Sequence, residues 1–277
     1  MKIHIKNIKK ILKFKKNEYK YLSPHIYKDK KSYVLLYCNR GNKSAIKGEI
    51  NSAVSLDLSK WVKIKDSLIL KFYKKKYHSF ISPCIAKIKN KTFLFVEAQQ
   101  TNFSSDIICF QSINNQWVLN KKFRLKSLRN NYQSPFFFKY KEKNFLFFSK
   151  NQNSINSLEL SNDLKIKKEN ICFKKEFLNE KYSIYSPSVV KISSKLHMFY
   201  AAWSNDTKGN INYAYSLDGL KWVKKYKNIF FTPKKIKIIS EPFVILIKDI
   251  IYIFFEYKDK GNKWNIAYKK VSKNRII

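Results

Sequence analysis

Ser82-Pro83-Cys84-Ile85 opens a pattern that recurs five times along the chain. Each copy has a small or acidic residue before a proline, an apolar run, a charged turn, and a second apolar run ending in aromatic residues. The openings are 59, 52, 52 and 55 residues apart, and they are Ser23-Pro24, Ser82-Pro83, Ser134-Pro135, Ser186-Pro187 and Glu241-Pro242. A period of roughly 50 residues made of short strands is typical of a propeller blade, in which four antiparallel strands repeat about an axis.

The two apolar runs of each copy flank a turn rich in lysine, aspartate and asparagine, which predicts a β-hairpin. A third strand is predicted after each hairpin, over residues 49–55, 107–111, 154–160, 211–216 and 264–268. Copies one and four then share a tail, Ser55-Leu56-Asp57-Leu58-Ser59-Lys60-Trp61 and Ser216-Leu217-Asp218-Gly219-Leu220-Lys221-Trp222, whose serine and aspartate close a turn on backbone amides. We therefore predict an all-β fold, a five-bladed β-propeller with antiparallel blades around a central funnel. A generic β-sandwich is the alternative.

Nothing in the chain marks a boundary between two domains. We predict a single propeller domain over residues 21–277. The basic segment 1–20 is either mobile or supplies a strand that closes the ring of blades.

The charge of the chain is strongly positive, with 57 Lys and Arg against 19 Asp and Glu and a formal net charge of +38 over 277 residues. Only four of these are arginine, the residue favoured for bidentate recognition of phosphates and bases. Lys, Asn, Ile, Phe and Tyr are plentiful while Gly, Pro and Ala are scarce, as AT-rich coding produces. Because the lysines fall mostly in hairpin turns away from the funnel mouth, the sequence argues against a nucleic-acid partner. Binding to another polyanion stays open.

Lysines interrupt every apolar run between Met1 and Lys16, so no signal peptide is predicted. The longest apolar run, from Phe243 to Phe255, is too short to cross a bilayer. The four cysteines lie far apart without C-x-x-C spacing, which indicates buried free thiols in a reducing compartment. We expect a cytoplasmic monomer with no membrane span, no cofactor and no metal.

The x-Pro-apolar blade openings and the S-x-D-G-x-x-W tail resemble the superfamily of five-bladed propellers that contains glycoside hydrolase family 43, the invertases and levansucrases, and the mannoside phosphorylases. The resemblance covers about residues 20 to 272. It implies a carbohydrate-active protein whose sugar or glycan sits at the funnel mouth, where the innermost strands begin. In that superfamily three carboxylates act there as a base or nucleophile, an acid, and a group that tunes the acid.

The carboxylates of family 43 are absent at the matching positions of this chain. The base directly before the first-blade proline is replaced by Ser23, the tuning aspartate after the second-blade proline by Cys84, and the acid two residues before the third-blade proline by Gln133. None of these side chains can protonate a leaving group on one side of an oxocarbenium-like transition state and supply a carboxylate on the other.

The repeat itself predicts which side chains replace them. If each hairpin pairs symmetrically about its turn, the residue 15 positions after each opening lies opposite it, and these residues are Cys38, Glu97, Ser149, Ala201 and Glu256. Glu97, Glu241 and Glu256 are therefore the candidate catalytic carboxylates. The candidate sugar-binding residues are Ser23, His25, Arg40, Ser82, Gln133, Ser134, Ser186, Ser188 and Trp203.

Two functions remain open from the sequence. The chain is a glycosidase whose carboxylates have moved to Glu241, Glu97 and Glu256, which requires two of them about 5 to 10 Å apart across an open pocket. Alternatively it is a non-catalytic propeller that binds a glycan or a nucleotide sugar, linked to cell-surface polysaccharide metabolism. In that case Glu241 holds its blade opening by accepting backbone N–H groups, Glu97 is a solvated residue of the rim, and Glu256 pairs with nearby lysines.

Overall fold

The computed structural model describes residues 9–13, 20–40, 48–64, 77–102, 104–126, 129–225, 236 and 238–276. These residues form five separate antiparallel sheets of four strands each. The innermost strand of each sheet contacts the innermost strands of its two neighbours, and the last sheet contacts the first. The prediction of a five-bladed β-propeller is therefore confirmed.

The strands follow the chain from the axis outward in the first four blades. Blade 1 consists of β2 (Tyr21–Asp29), β3 (Ser32–Asn39), β4 (Glu49–Ser55) and β5 (Val62–Lys63). Blade 2 consists of β6 (Ser79–Ile88), β7 (Lys91–Gln99), β8 (Ser105–Ile113) and β9 (Gln116–Leu125). Blade 3 consists of β10 (Tyr132–Tyr140), β11 (Lys143–Lys150), β12 (Ser154–Leu160) and β13 (Ile166–Lys174). Blade 4 consists of β14 (Ser183–Ile192), β15 (Lys195–Asn205), β16 (Lys208–Ser216) and β17 (Val223–Lys224).

Blade 5 is assembled from both ends of the chain. It consists of β18 (Ile239–Ile247), β19 (Ile250–Lys258) and β20 (Trp264–Ser272), with β1 (Lys9–Lys10) as its outer strand. Lys9 lies opposite Tyr268 and Lys10 opposite Ala267. Of the basic segment 1–20, residues 1–8 and 14–19 lie outside the described residues. The part that is described joins the first and last portions of the propeller.

Each innermost strand carries a bulge at its opening Ser-Pro or Glu-Pro. In blade 2 the pairing runs Ile81 with Glu97 and resumes at Cys84 with Phe95, so that Ser82 and Pro83 have no partner in the ladder. The opening residue has left-handed backbone in every blade, with φ of 54°, 49°, 53°, 51° and 47° for Ser23, Ser82, Ser134, Ser186 and Glu241. The symmetric register expected from the sequence is therefore wrong by one residue, because the bulge adds a residue to the first strand. Glu97 lies opposite Ile81 rather than Ser82, still at the funnel end.

The core lies between adjacent blades and is dominated by the second strands. Phe95, Phe147, Phe199 and Phe254, one from each of blades 2 to 5, are completely buried. Alternation along the strand sends successive aromatic rings to opposite faces of a blade, and both faces pack against a neighbour. This is why the middle of each of these strands is almost entirely apolar. No helix that the structure describes is long and apolar enough to cross a membrane.

The Ser-x-Asp tail forms the predicted turns after β4 and β16. Oδ1 of Asp218 accepts the N–H groups of Leu220 (2.8 Å) and Lys221 (2.9 Å). The Trp222 indole donates to the Gly219 carbonyl at 3.0 Å, which fixes the tryptophan on the blade edge. Blade 3 has a related serine–aspartate pair, Ser161 and Asp163. Blade 2 instead turns through two left-handed asparagines, Asn114 and Asn115.

Candidate functional site

The five blade openings meet at one end of the axis and line a pocket. Its volume is about 290 Å³, with open solvent at the mouth included. The lining consists of four serines and five prolines from the openings, together with His25, Phe136 and Phe243. The His25 ring centroid lies 4.8 Å from that of Phe243 and 6.3 Å from that of Phe136. The pocket is thus polar at the openings and aromatic deeper along the axis.

Residues two positions after an opening join neighbouring blades around the axis. His25 Nε2 accepts the Ile85 N–H at 3.0 Å, Cys84 Sγ accepts the Phe137 N–H at 3.0 Å, and Ser188 Oγ accepts the Val244 N–H at 2.9 Å. Burial lowers the pKa of His25 to about 3, so the ring is neutral near pH 7 and Nδ1 carries the proton. Ser188 is completely buried and lies outside the pocket lining.

Glu97 is buried and its carboxylate is surrounded by donors. Oε2 accepts the Ser134 N–H at 3.1 Å and the Ser82 hydroxyl at 3.5 Å. Oε1 accepts hydrogen bonds from Ser105 (2.9 Å), Gln99 (3.3 Å) and Gln133 (3.4 Å). Burial raises the pKa of Glu97 while these hydrogen bonds oppose the rise. This carboxylate holds the opening of blade 3 against blade 2.

Glu256 plays the corresponding part where blade 5 meets blade 1. Its Oε2 accepts the Ser23 N–H at 3.4 Å, and the residue is 3% exposed. Burial, and then the negative charge of Glu241, hold the pKa of Glu256 well above its usual value. The two carboxyl groups share a hydrogen bond in which protonated Glu256 donates to Glu241. Two carboxyl groups that interact so directly titrate as a pair, and the second to ionise keeps its proton to higher pH.

Glu241 is the least enclosed of the three glutamates, since the residue is only partly buried. Burial is nevertheless the main cause that raises the pKa of Glu241, and Glu97 adds to it. The carboxyl group of Glu241 is hydrogen-bonded to the side chains of Ser23 and Glu256. Of the candidate carboxylates, only Glu241 has a buried oxygen, Oε2, for which the described residues offer no partner.

Arg40 lies among the three glutamates and is the cation of the site. Its Nη2 donates to Gln99 Oε1 at 3.2 Å, and its charge lowers the pKa of all three carboxyl groups. Within the described residues its buried Nε has no acceptor, and the buried Oε1 of Gln133 has no donor. A buried polar atom without a partner is costly, and it commonly marks a place where water or a ligand binds.

The remaining predicted residues divide between the pocket and its flank. Ser23, Ser82, Ser134 and Ser186 line the pocket. Trp203 lies beside it, where its indole donates to Ser240 Oγ at 3.3 Å and its ring stacks on Trp264 with centroids 6.4 Å apart. The Tyr185 hydroxyl is 2.6 Å from the same Ser240 oxygen. Burial, followed by the charges of Glu241 and Glu256, raises the pKa of Tyr185 well above its usual value.

Two polar residues at this end were not on the sequence-derived shortlist. Gln99 bridges Arg40 and Glu97, and the His78 N–H donates to the Gln99 carbonyl at 2.9 Å. The buried Nδ1 of His78 has no partner in the part of the chain that is described. The position of Gln99 just beyond the second strand was the only sequence signal for it, and His78 had none because it precedes the repeated motif. The described residues contain no group of three or more His, Cys, Asp or Glu side chains that could hold a metal ion.

No protein-family model and no curated protein sequence matches this chain. The fold, in contrast, is closely similar to solved glycoside hydrolases. A thermostable family-43 glycoside hydrolase superposes with a TM-score of 0.74 at 18% identity, covering 90% of this chain and 89% of that one. A family-43 enzyme from Xanthomonas citri, solved with xylotriose, gives 0.71 at 10% identity, covering 92% and 87%. The exo-β-1,3-galactanase from Phanerochaete chrysosporium, solved with β-1,3-galactotriose, gives 0.71 at 9% identity, covering 91% and 60%. The predicted resemblance is therefore confirmed at the level of the fold, which is the five-bladed propeller of family 43.

Proposed function

We propose that this propeller binds a sugar or glycan at the funnel mouth and does not hydrolyse it. The observation that carries the proposal is the axial pocket, which the four opening serines line. At the same end, three buried polar atoms have no partner among the described residues, Arg40 Nε, Gln133 Oε1 and Glu241 Oε2, although their residues are not part of the pocket lining. Together they offer one donor and two acceptors, which suits the hydroxyl groups of a sugar. Similar folds that hold xylotriose and galactotriose support the same ligand class.

The arrangement of the carboxylates favours binding over hydrolysis. A glycosidase needs an acid and a second carboxylate separated by about 5 to 9.5 Å, with the scissile bond between them. Glu241 and Glu256 are instead hydrogen-bonded to each other, which is not the arrangement of an acid and a second carboxylate on opposite sides of a scissile bond. Glu97 is already occupied by five hydrogen-bond donors. Glu97 and Glu256 each also accept the N–H of a serine in the next blade.

The proposal is tested by titrating xylotriose and β-1,3-galactotriose against the wild-type chain and two variants, with a reducing-sugar assay in parallel. We expect binding of at least one trisaccharide with no release of reducing sugar. Glu241→Gln should weaken binding by about tenfold, since a charge-assisted hydrogen bond contributes about 1.5–3 kcal/mol. Glu142→Gln, on an exposed turn at the opposite end, should leave binding unchanged. Failure of both sugars and of a broader glycan array to bind would overturn the proposal.

Hydrolysis is the second candidate, and one observation favours it. Burial raises the pKa of Glu241, which is the direction of shift that a general acid requires. This route predicts release of reducing sugar that is lost in Glu241→Gln and in Glu97→Gln. Turnover that survives in both variants would exclude it.

A further inference from the structure

The face opposite the funnel carries a second surface feature. In each blade the first strand runs away from the funnel and the second returns, so the turn between them lies at the far end of the axis. The turn between the third and fourth strands of blades 1 to 4 lies at the same end. We call this end the turn face. It is formed by residues 28–32, 56–61, 87–91, 113–116, 139–143, 161–166, 191–195, 217–222 and 248–250.

The inner turns bring a dense ring of lysines to this face. Together the five turns contain twelve exposed lysines against three acidic residues. The lysines are Lys28, Lys30, Lys31, Lys87, Lys89, Lys91, Lys139, Lys141, Lys143, Lys191, Lys195 and Lys248. Only Lys139 and Lys143 make ion pairs with described residues. The innermost strands that lead into these turns contact one another around the axis, and charges interact over a Debye length of about 8–10 Å, so we expect the lysines of neighbouring turns to act together.

The same face exposes one aliphatic side chain in every blade. Leu56 is 78% exposed, Leu217 is 59% exposed, and Ile113, Ile166 and Ile250 are each at least 40% exposed. All five lie in or directly beside a turn of this end. Of the other strongly exposed aliphatics, Val62 and Ile171 lie on outer strands, and Leu178 lies in the short segment between β13 and β14 at the funnel end. A single exposed leucine needs no explanation, but one per blade among lysines on one face is an organised amphipathic surface.

Coding bias does not account for lysine at the turns. Lys30, Lys89, Lys141 and Lys248 each have left-handed backbone, with φ between 46° and 54°. Asparagine tolerates that conformation better than lysine. AT-rich coding favours asparagine as well as lysine, so coding bias alone would allow asparagine at these positions. Four of the five inner turns nevertheless place lysine there, at the expense of the better turn residue. Lysine therefore stands at four positions where the backbone favours another residue.

We propose that the turn face docks on an anionic lipid surface. The lysines attract the face to acidic headgroups, and the five exposed aliphatic side chains enter the headgroup layer, as the apolar side chains of amphipathic membrane-binding helices do. Nucleic acid fits less well, since the face has no exposed aromatic ring for base stacking among these turns and no arginine in them. Docked in this way, the funnel mouth faces away from the membrane. The inference does not depend on what the funnel binds.

The test is co-sedimentation with vesicles of phosphatidylcholine alone or of phosphatidylcholine mixed with phosphatidylserine. We expect binding only to the mixed vesicles, and weaker binding as salt rises. A variant with Lys30, Lys89, Lys141 and Lys248 each changed to Asn should bind at least about tenfold more weakly and fold normally, since asparagine suits the left-handed turns. The matched control changes Lys121, Lys122, Lys208 and Lys260 to Gln, which removes the same charge outside the turn face, and should bind like the wild type.

A second variant, Leu56→Ser with Leu217→Ser, tests the contribution of the exposed aliphatic side chains to vesicle binding. It should bind the mixed vesicles more weakly while keeping the salt dependence. Equal loss of binding in the asparagine variant and in its control would overturn the proposal. So would retention on duplex DNA or heparin that depends on the turn lysines when the mixed vesicles are not bound. Sugar binding by the asparagine variant should remain that of the wild type, which separates this outcome from a failure of the funnel site.

Discussion

The glutamates at the funnel end do structural work that their sequence context does not reveal. Glu97 and Glu256 each accept the N–H of the opening serine in the next blade, Ser134 and Ser23. That N–H is exposed by the bulge and needs an acceptor. At the equivalent position of blade 3, Ser149 instead donates to the Ile184 carbonyl of blade 4 at 2.9 Å. Among the three glutamates, Glu241 is left as the group with chemistry to offer a ligand.

The shared proton of Glu241 and Glu256 should appear in the pH dependence of stability. An unfolded glutamate loses its proton near the ordinary value of 4.5, while the pKa values of both carboxyls of the folded pair are raised above it. Between these values the folded state binds more protons, so the free energy of unfolding falls as pH rises. The contribution is fully present below pH 4.5 and is lost as pH rises through the folded pKa.

Glu256→Gln should remove part of this slope. Glutamine can accept the Ser23 N–H and donate to Glu241 without ionising. Urea unfolding at several pH values should show the variant gaining stability relative to the wild type as pH increases from about 4.5 to 8. Parallel loss of stability in the two proteins would contradict the shared-proton interpretation.

Ser188 shows how a single polar atom joins two blades. Its buried hydroxyl accepts the Val244 N–H at 2.9 Å. Ser188→Ala leaves that N–H without an acceptor and should lower the free energy of unfolding by about 1–3 kcal/mol. Ser194→Ala, on an exposed turn, should change it by less than about 0.5 kcal/mol. Equal effects in urea unfolding would show that the inter-blade hydrogen bond contributes nothing.

The repeating element of the fold is the bulge at each blade opening. A serine before proline holds a left-handed backbone in blades 1 to 4, and Glu241 holds it in blade 5. This conformation is unfavourable for most side chains and is worst for β-branched residues. The bulge turns the opening residue out of the ladder, and the four opening serines line the axial pocket.

Ser186 provides a test of the bulge, because its φ is 51°. Ser186→Val places a β-branched residue in the left-handed region and should cost about 1–3 kcal/mol of stability. Ser186→Asn should be neutral within about 0.5 kcal/mol, since asparagine tolerates this backbone. Chemical denaturation of both variants measures the difference. A valine variant as stable as the asparagine variant would mean that the opening can adopt an ordinary backbone.

The strands were more predictable than the contacts between them. The third strand of blade 3, residues 154–160, was predicted with its observed bounds, because polar turns delimit it on both sides. The register at the blade openings was not predicted correctly, because a bulge residue cannot be distinguished from any other strand residue in the sequence. The Ser161–Asp163 turn was missed because it lacks the tryptophan that identifies its counterparts. Whether a glutamate at the funnel end accepts hydrogen bonds from the neighbouring blade depends on the position of that blade. The local sequence around the glutamate does not contain this information.

At the scale of the whole molecule, the two ends of the propeller differ in character. The funnel end gathers three of the chain's ten glutamates around Arg40, despite a net charge of +38. The opposite end carries the lysine and aliphatic turns. A propeller suits this division because every blade contributes a strand opening to one end and a turn to the other. We interpret the molecule as a sugar-binding funnel on a lipid-facing base.

The most direct test of the central claim is calorimetric titration of a trisaccharide into the wild type, Glu241→Gln and Glu142→Gln, followed by assay of the same samples for reducing sugar. The account predicts binding by the wild type and by Glu142→Gln, about tenfold weaker binding by Glu241→Gln, and no reducing sugar in any sample. Release of reducing sugar that disappears in Glu241→Gln, or binding that Glu241→Gln leaves unchanged, would contradict it.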